Sequence, residues 1–455
     1  MPKHSRPEKP NVLFIVLDDM RADFLGLNNP AVRTPHLDSV ARRGTLFSRA
    51  YTASPICAPS RVALATGCEP WRQGPVIGNK LTLNLNQPNL YRTFRNAGYR
   101  VGGIGKIDIK KSDPWNGPNG DRPFLYEAGF THPFEVEGKI HSCVHGEPVG
   151  PYGFYLRSKG LYEKHLADYR DRQKHFWHSA KASLDSPLAT EDHIDSFIGR
   201  GAKRFLDTAA DDFPWFLLVG FSGPHEPFDP PVDYARRYHT SVMSAPLPPQ
   251  RNAPDWVRQS RWFVNDGWAD IDFVRRQYCA GIELIDSEIG GILQALAARP
   301  DADNTIVCIA GDHGEMLGDH GLMSAMVPYE PAIRVPLMVA GRGIGSVRSS
   351  ALVSLVDVYP TLCELASVPT DDIAMDGRSF APVLLKSASE HRRHVLSTLD
   401  NFRCMVTERY KLIKYGSREA DLYDLRNDPD ECVNAARSQP ETAKMLMDQM
   451  AAAYT

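Results

Sequence analysis

The chain has 455 residues, 42% apolar and 24% charged, so a large core is available; the length suggests about three domains, or one large α/β domain with an appendage. A net charge of -3 leaves no basic footprint, which excludes bulk nucleic-acid binding. The longest clean apolar run near the start, Val12 to Leu17, is too short to span a bilayer or to form a secretion-signal core, so a cytoplasmic protein with no membrane partner is expected.

The first ten residues read as a disordered tail, and Asn11 to Leu17 as a buried strand. Thr34-Pro35 opens a helix that runs through about Arg43. Pro59 suits the first turn of a helix that continues to Thr66 and is ended by Gly67. Thr190 can cap a helix whose apolar residues Ile194, Phe197, Ile198, Phe205 and Leu206 keep helical spacing. Trp215 to Phe221 reads as a strand, and a long helix follows with Tyr278, Ile282, Ile285, Ile289 and Leu293 on one stripe. Strands over Thr305 to Ala310 and Val335 to Ala340 and a helix from about Val356 to Ala366 complete the alternation. Short apolar runs between amphipathic helices argue for an α/β fold, a large, mostly parallel central sheet flanked by helices.

Beyond that, Met405 to Thr407, Tyr410 to Tyr415 and Asp421 to Leu425 look like short antiparallel strands. We expect a catalytic domain over residues 1–388 and a small α+β subdomain over 389–455. Ser112 to Pro123 and Ala245 to Pro254 are loop-rich and suited to framing an entrance. The eight cysteines form no CxxC pair, which argues against a four-cysteine zinc site, and no disulfides are expected.

In open α/β sheets, ligands bind beyond the carboxyl ends of the strands. Asp18-Asp19 follows the first strand, Asp312-His313 follows the strand that holds Cys308, and His225 follows the Phe216 strand. Carboxylates with an imidazole suit a hard ion such as Ca²⁺, Mg²⁺ or Mn²⁺ better than Zn²⁺. Cys57 stands at a helix N-terminus, where free amides and the macrodipole attract anions. Arg61, one turn in, projects either toward the same anion or onto the aspartates. Gly102-Gly103-Ile104-Gly105-Lys106 lacks the spacing of a dinucleotide or P-loop motif, and a cysteine-protease triad would leave the paired acids unexplained.

Cys57-Ala58-Pro59-Ser60-Arg61 with Thr66-Gly67 resembles the signature of the type I, formylglycine-dependent sulfatases of the alkaline-phosphatase-like superfamily. The likeness continues through Leu17-Asp18-Asp19, Gly105-Lys106, Gly223-Pro224-His225, Gly311-Asp312-His313, Tyr329-Glu330 and Leu422-Tyr423-Asp424-Leu425. The resemblance implies that Asp18, Asp19, Asp312 and His313 hold one divalent metal, usually Ca²⁺, with Mg²⁺ or Mn²⁺ as alternatives. It implies that a maturation enzyme converts Cys57 to formylglycine, whose hydrate attacks sulfur and whose second hydroxyl expels sulfate. Arg61 matches the arginine that steadies this group, Lys106 a lysine on the sulfate or leaving-group side, and His225 a histidine on the ester. Asn79 matches a substrate-contacting asparagine. The implied substrate is a small-molecule or saccharide sulfate ester, and oligomerisation is left open.

Two positions depart from that pattern: Asp108 stands where many relatives carry histidine, and Ala325 where they carry lysine. Asp108 is read as a substrate-binding residue, accepting from sugar hydroxyls or, with a carboxyl raised by burial, acting as a general acid. His141 and His145 are candidates for the missing donor, and Lys110-Lys111 reads as a solvated pair. Two other functions compete: a phosphonate monoester or phosphodiester hydrolase of the same superfamily, and a catalytically weak binder of sulfated ligands.

Overall fold

The structure is a computed structural model that describes residues 9–111, 115–175, 179–210, 212–249, 257, 270–370 and 372–454. Most of the expected N-terminal tail, residues 112–114 of the first loop and residues 250–254 of the second lie outside the described residues.

Strand β1 (Asn11–Leu17) lies near the middle of a nine-stranded sheet. The others are β2 (Thr45–Tyr51), β3 (Arg100–Gly105), β4 (His132–Glu135), β5 (Trp215–Gly220), β6 (Thr305–Gly311), β7 (Arg334–Ala340), β8 (Val347–Ser349) and β9 (Val353–Ser354). The order is β4-β3-β5-β1-β6-β7-β2-β8, with β9 also on β2. Every pairing is parallel except those of β7, which runs against both β6 and β2.

Strand alternation assigns the two faces. Leu13, Ile15 and Leu17 pack with helices α1 (Pro35–Arg43), Ile194–Thr208 and Ile271–Ala297. Val12, Phe14 and Val16 pack with α2 (Cys57–Thr66), Leu90–Asn96 and Val358–Leu365. Both faces are covered, which is why the central strands are apolar without interruption. The helix expected from Thr190 starts later. Residues Thr190–Asp192 form a 3₁₀ turn, and His193 caps the helix by accepting from Asp195 N.

The C-terminal part forms a four-stranded antiparallel sheet of β10 (His394–Leu399), β11 (Phe402–Thr407), β12 (Tyr410–Tyr415) and β13 (Asp421–Asp424). Its Cys404, Val406, Ile413 and Tyr415 face Tyr51, Tyr329 and Ile333 of the main body, and Met405, Leu412 and Leu422 face Leu446 and Met450 of helix Pro440–Ala453. Lys411, fully buried at this junction, bridges Glu330 and Glu431 at 2.7 Å each. No helix among the described residues is long and apolar enough to cross a membrane, and all eight cysteines are free thiols.

Candidate active site

Strand register sets the geometry. Leu17 is level with Gly311, Val16 with Gly220, and Gly105 with Gly220. Strands β1, β6, β5 and β3 therefore end along one line, and the polar residues that follow each of them emerge on one rim. Gly105 (φ +93°) and Gly220 make the β3 and β5 ends fit. A Cβ on Gly220 would stand 2.0 Å from Lys106 O, and one on Gly105 2.1 Å from Gly220 O. This close approach lets Lys106 N donate to Gly220 O (2.8 Å) and sends the lysine side chain over the rim.

Helix α2 delivers the cysteine. It begins at Cys57 itself, after Ile56 in an extended conformation, and ends at left-handed Gly67. The helix sits on Asp312: Ser60 Oγ donates to the carbonyl of Asp312 (2.7 Å), and Arg61 Nε donates to its Oδ2 (2.8 Å). Arg61 Nη1 donates to Lys106 O, and Nη2 is 3.6 Å from Asp18 Oδ1. Of the two directions open to Arg61, the structure shows the one onto the aspartates.

Cys57 Sγ is 3.5 Å from Lys106 Nζ and 3.4 Å from His313 Nε2. Lys106 Nζ also donates to Asp18 Oδ2. His313 Nδ1 sits 3.0 Å from Gly314 O; with Nδ1 as the donor, Nε2 is the nitrogen turned to the thiol. Asp312 Oδ1 accepts from the amides of His313 (2.8 Å) and Asp19 (3.2 Å). Asp19 adopts φ +62°, a conformation that costs about 1–3 kcal/mol for a non-glycine residue. Tyr278, on the long helix, holds it by donating to Asp19 O (2.6 Å) and accepting from Arg21 N (3.0 Å). Sequence reasoning placed Tyr278 in the core stripe, and nothing in its spacing signals this second task.

The charges are strongly coupled by burial. Burial raises the Asp18 carboxyl, but Lys106, His225, Arg61 and His313 together hold it well below its usual value. Asp19 has the His313 Nδ1 at 3.1 Å from its Oδ1, but the acids around it outweigh that contact. Burial and then Asp18 and Glu226 push it well above the carboxylate range. Burial also carries Asp312 up to about 6 despite Arg61. Burial and Asp18 raise the Cys57 thiol, but Lys106, Lys111 and His313 win and leave it well below the usual thiol value. His313 resists burial because of Asp312 and Cys57 and rises to about 10. His225 likewise rises to about 9, through Glu226 and Asp18.

Asp18, Asp19, Cys57 and His313 each offer a ligand atom within 4.8 Å of the others, and the buried Oδ1 atoms of Asp18 and Asp19 make no hydrogen bond. Two unsatisfied carboxylate oxygens with an imidazole fit a hard divalent cation. Asp312 stands outside that group, its carboxylate turned to Arg61 and two amides, although a carboxylate keeps further lone pairs. Asp19 also groups with His225 and Glu226.

A cavity of about 270 Å³ opens above Cys57, lined also by Asp19, Asn79, Lys106, Lys111, His225 and Ala325. Asn79 lines it while its Oδ1 accepts from Ala58 N (2.7 Å), which occupies a first-turn amide of α2. A wider groove of about 810 Å³ beside the C-terminal sheet gathers Asp400, Arg403 and Lys414 but none of the strand-end residues, which converge on the smaller space. Two expectations are corrected. Asp108 is not raised: burial acts upward, but Lys111, Lys106 and Arg61 hold the carboxyl below its usual value, which removes the general-acid reading. Lys111 is not solvated. Its side chain is 18% exposed, lines the cavity and lies 3.0 Å from Asp108 Oδ2.

A family model described as Sulfatase matches residues 10–368, and one described as N-sulphoglucosamine sulphohydrolase, C-terminal, matches residues 318–453. The chain is 29% identical to an arylsulfatase of Clostridium perfringens over 95% of its own length and 91% of that protein's. Its fold is similar to that of the phosphonate monoester hydrolase of Agrobacterium radiobacter, with a TM-score of 0.81 at 23% identity, covering 98% of this chain and 95% of that one. It is also similar to a protein solved with its substrate D-glucosamine-2-N,6-O-disulfate, with a TM-score of 0.77 at 19% identity, covering 98% and 97%.

Proposed function

The chain belongs to the sulfatase family, and from that premise we propose that it hydrolyses the sulfate ester of a small molecule or saccharide in the cavity above Cys57. One observation carries the reading: Cys57 Sγ, at the start of α2, lies against Lys106 and His313 in one buried group with Asp18 and Asp19.

The protein side chains divide the work as follows. Arg61 spends its guanidinium on Asp312 and Lys106 O, so it fixes the mutual positions of α2, β3 and β6 and does not contact substrate. Lys106, steadied by Asp18, presents an ammonium group to the oxygens of the incoming anion, where negative charge builds as the ester bond breaks. His225 lines the same space with Nδ1 tied to Glu226 O (2.6 Å) and, carrying its proton, donates to the departing oxygen. Asn79 positions the first turn of α2 through Ala58. Asp18, Asp19, Asp312 and His313 would hold a divalent cation, Ca²⁺ with Mg²⁺ or Mn²⁺ as alternatives, which supplies further positive charge to anionic oxygens. Conversion of Cys57 to formylglycine by a maturation enzyme would supply a hydrate with one hydroxyl to attack and another to release the group.

The test is expression in cells that contain a formylglycine-generating enzyme, peptide mass spectrometry at Cys57, and rates on matched aryl sulfate, phosphate and phosphonate esters. We expect an aldehyde at position 57, fastest turnover of the sulfate, and a loss of about three orders of magnitude or more in Cys57→Ala. Fastest turnover of a phosphonate or phosphodiester would replace the proposal by the neighbouring hydrolase activity. Tight sulfate binding without turnover of any ester would replace it by a binding protein.

A further inference from the structure

Three lysines line the Cys57 cavity, and their commitments differ. Lys139 gives its ammonium to Asp229 (2.8 Å) and Pro227 O (3.1 Å). Lys106 is gripped by Asp18. Lys111 has Asp108 Oδ2 at 3.0 Å, and that same oxygen lies 3.8 Å from Lys106 Nζ. An ammonium carries three donors, so one shared carboxylate oxygen leaves donors of Lys111 for an anion in the cavity.

The support behind Lys111 is built, not incidental. A lysine on a surface loop ordinarily extends into water, yet this one is held inward. Asp108 holds it from a left-handed conformation (φ +59°), which a non-glycine residue adopts only where its surroundings impose it. The Asp108 amide donates to Glu135 Oε1 (3.2 Å), and Glu135 in turn accepts from Arg122. A buried relay, from the Arg122 guanidinium to the Glu135 carboxylate and from there to the Asp108 backbone amide, thus sets the acid that faces Lys111. A side chamber of about 50 Å³ adjoins the main cavity there; Lys106, Lys111, Gly138 and His141 line both. Asp108 lines only the chamber, so Lys111 stands in front and Asp108 behind.

We propose that Lys111 is a substrate-binding residue that, with Lys106, grips the oxygens of the ester's tetrahedral anion, and that Asp108 is the residue that positions both ammonium groups. A tetrahedral oxyanion can accept from both at once. The inference depends on the sulfatase reading only for the identity of the anion.

The experiment measures binding of inorganic sulfate and of phenylphosphonate by titration calorimetry to the parent chain and to Lys111→Ala, Lys111→Gln, Lys111→Arg and Lys110→Ala. Lys110 is the control, since its Nζ sits over the Phe124 ring (4.9 Å). We expect Lys111→Ala and Lys111→Gln to weaken the preferred anion by about 10- to 100-fold, the worth of one charge-assisted contact. Lys111→Arg should recover most of that loss, and Lys110→Ala should stay within about twofold of the parent. Unchanged affinity in whichever neutral variant folds would overturn the proposal, and so would failure of the parent to bind either anion. A parent that prefers phenylphosphonate would refute the sulfatase reading alone, and Lys111 is then judged on that anion.

Discussion

Two buried charge clusters, the strand-end rim and the Lys411 junction, use similar residues to opposite ends. At the junction each charge has its partner. Lys411 bridges Glu330 and Glu431, Arg334 Nε sits 3.0 Å from Glu330 Oε2, Tyr51 donates to the same oxygen (3.2 Å), and Glu330 N donates to Glu431 (2.7 Å). At the rim Asp18, Asp19 and Glu226 crowd one another, and burial with that crowding pushes the Asp19 carboxyl well above its usual range. The first arrangement fastens two sheets together. The second is costly until something positive arrives, which is the mark of a site organised for a ligand rather than for the fold.

Breaking each cluster should therefore hurt different properties. Asp19→Asn removes a charge that burial and its neighbours disfavour, and asparagine tolerates the left-handed backbone there. We expect ester hydrolysis to fall by roughly 10³-fold, since a metal's charge stabilisation is worth several kcal/mol. The metal-free variant should nonetheless be more stable to urea, by on the order of 1 kcal/mol. A variant that loses stability together with activity would mean that the rim serves the fold after all. Lys411→Met is the mirror case. It strands Glu330 and Glu431 in the interior and should cost about 3–5 kcal/mol in denaturant unfolding. The kcat of the protein that remains folded should change little. A large fall in kcat with the midpoint unmoved would erase the distinction between the two clusters.

The rim was legible because each functional residue follows an apolar strand or opens a helix. Asp18-Asp19, Asp312-His313, His225 and Cys57 could all be placed from the sequence alone. Strand β3 was not legible: its glycines were weighed only as a nucleotide-binding motif, whereas Gly102 and Gly103 leave room for the rings of Phe205 and Phe130. Nor was the reversed direction of β7, since apolar runs carry no sign of polarity. Strands β2 and β10 also escaped notice. Lys111 was misjudged for a different reason. Local sequence describes a lysine pair next to an acid, but only the fold shows that Asp108 turns one of them inward. Residues that follow a strand end announce themselves, and a residue such as Lys111, whose direction depends on the backbone turn at Asp108, does not.

A third buried carboxylate, outside both clusters, shows what burial does where backbone amides hold the group. Glu137 lines the side chamber and is held by the amides of Gly153 (2.7 Å) and Tyr152 (3.2 Å). Burial outweighs these amides and pushes its carboxyl up to about 7, from an ordinary value of 4.5. The folded chain therefore retains a proton that the unfolded chain releases, so this residue's contribution is complete below pH 4.5 and is lost as pH rises through about 7. A tenfold change in proton affinity is worth about 1.4 kcal/mol, so the unfolding free energy should decline by up to about 3 kcal/mol across that window on account of this one group. Glu137→Gln mimics the protonated acid, and its unfolding free energy, followed in urea at a series of pH values, should fall correspondingly less. Parallel pH profiles for the two proteins would show that the amides satisfy the ionised carboxylate, and that burial is cheaper here than the rim suggests.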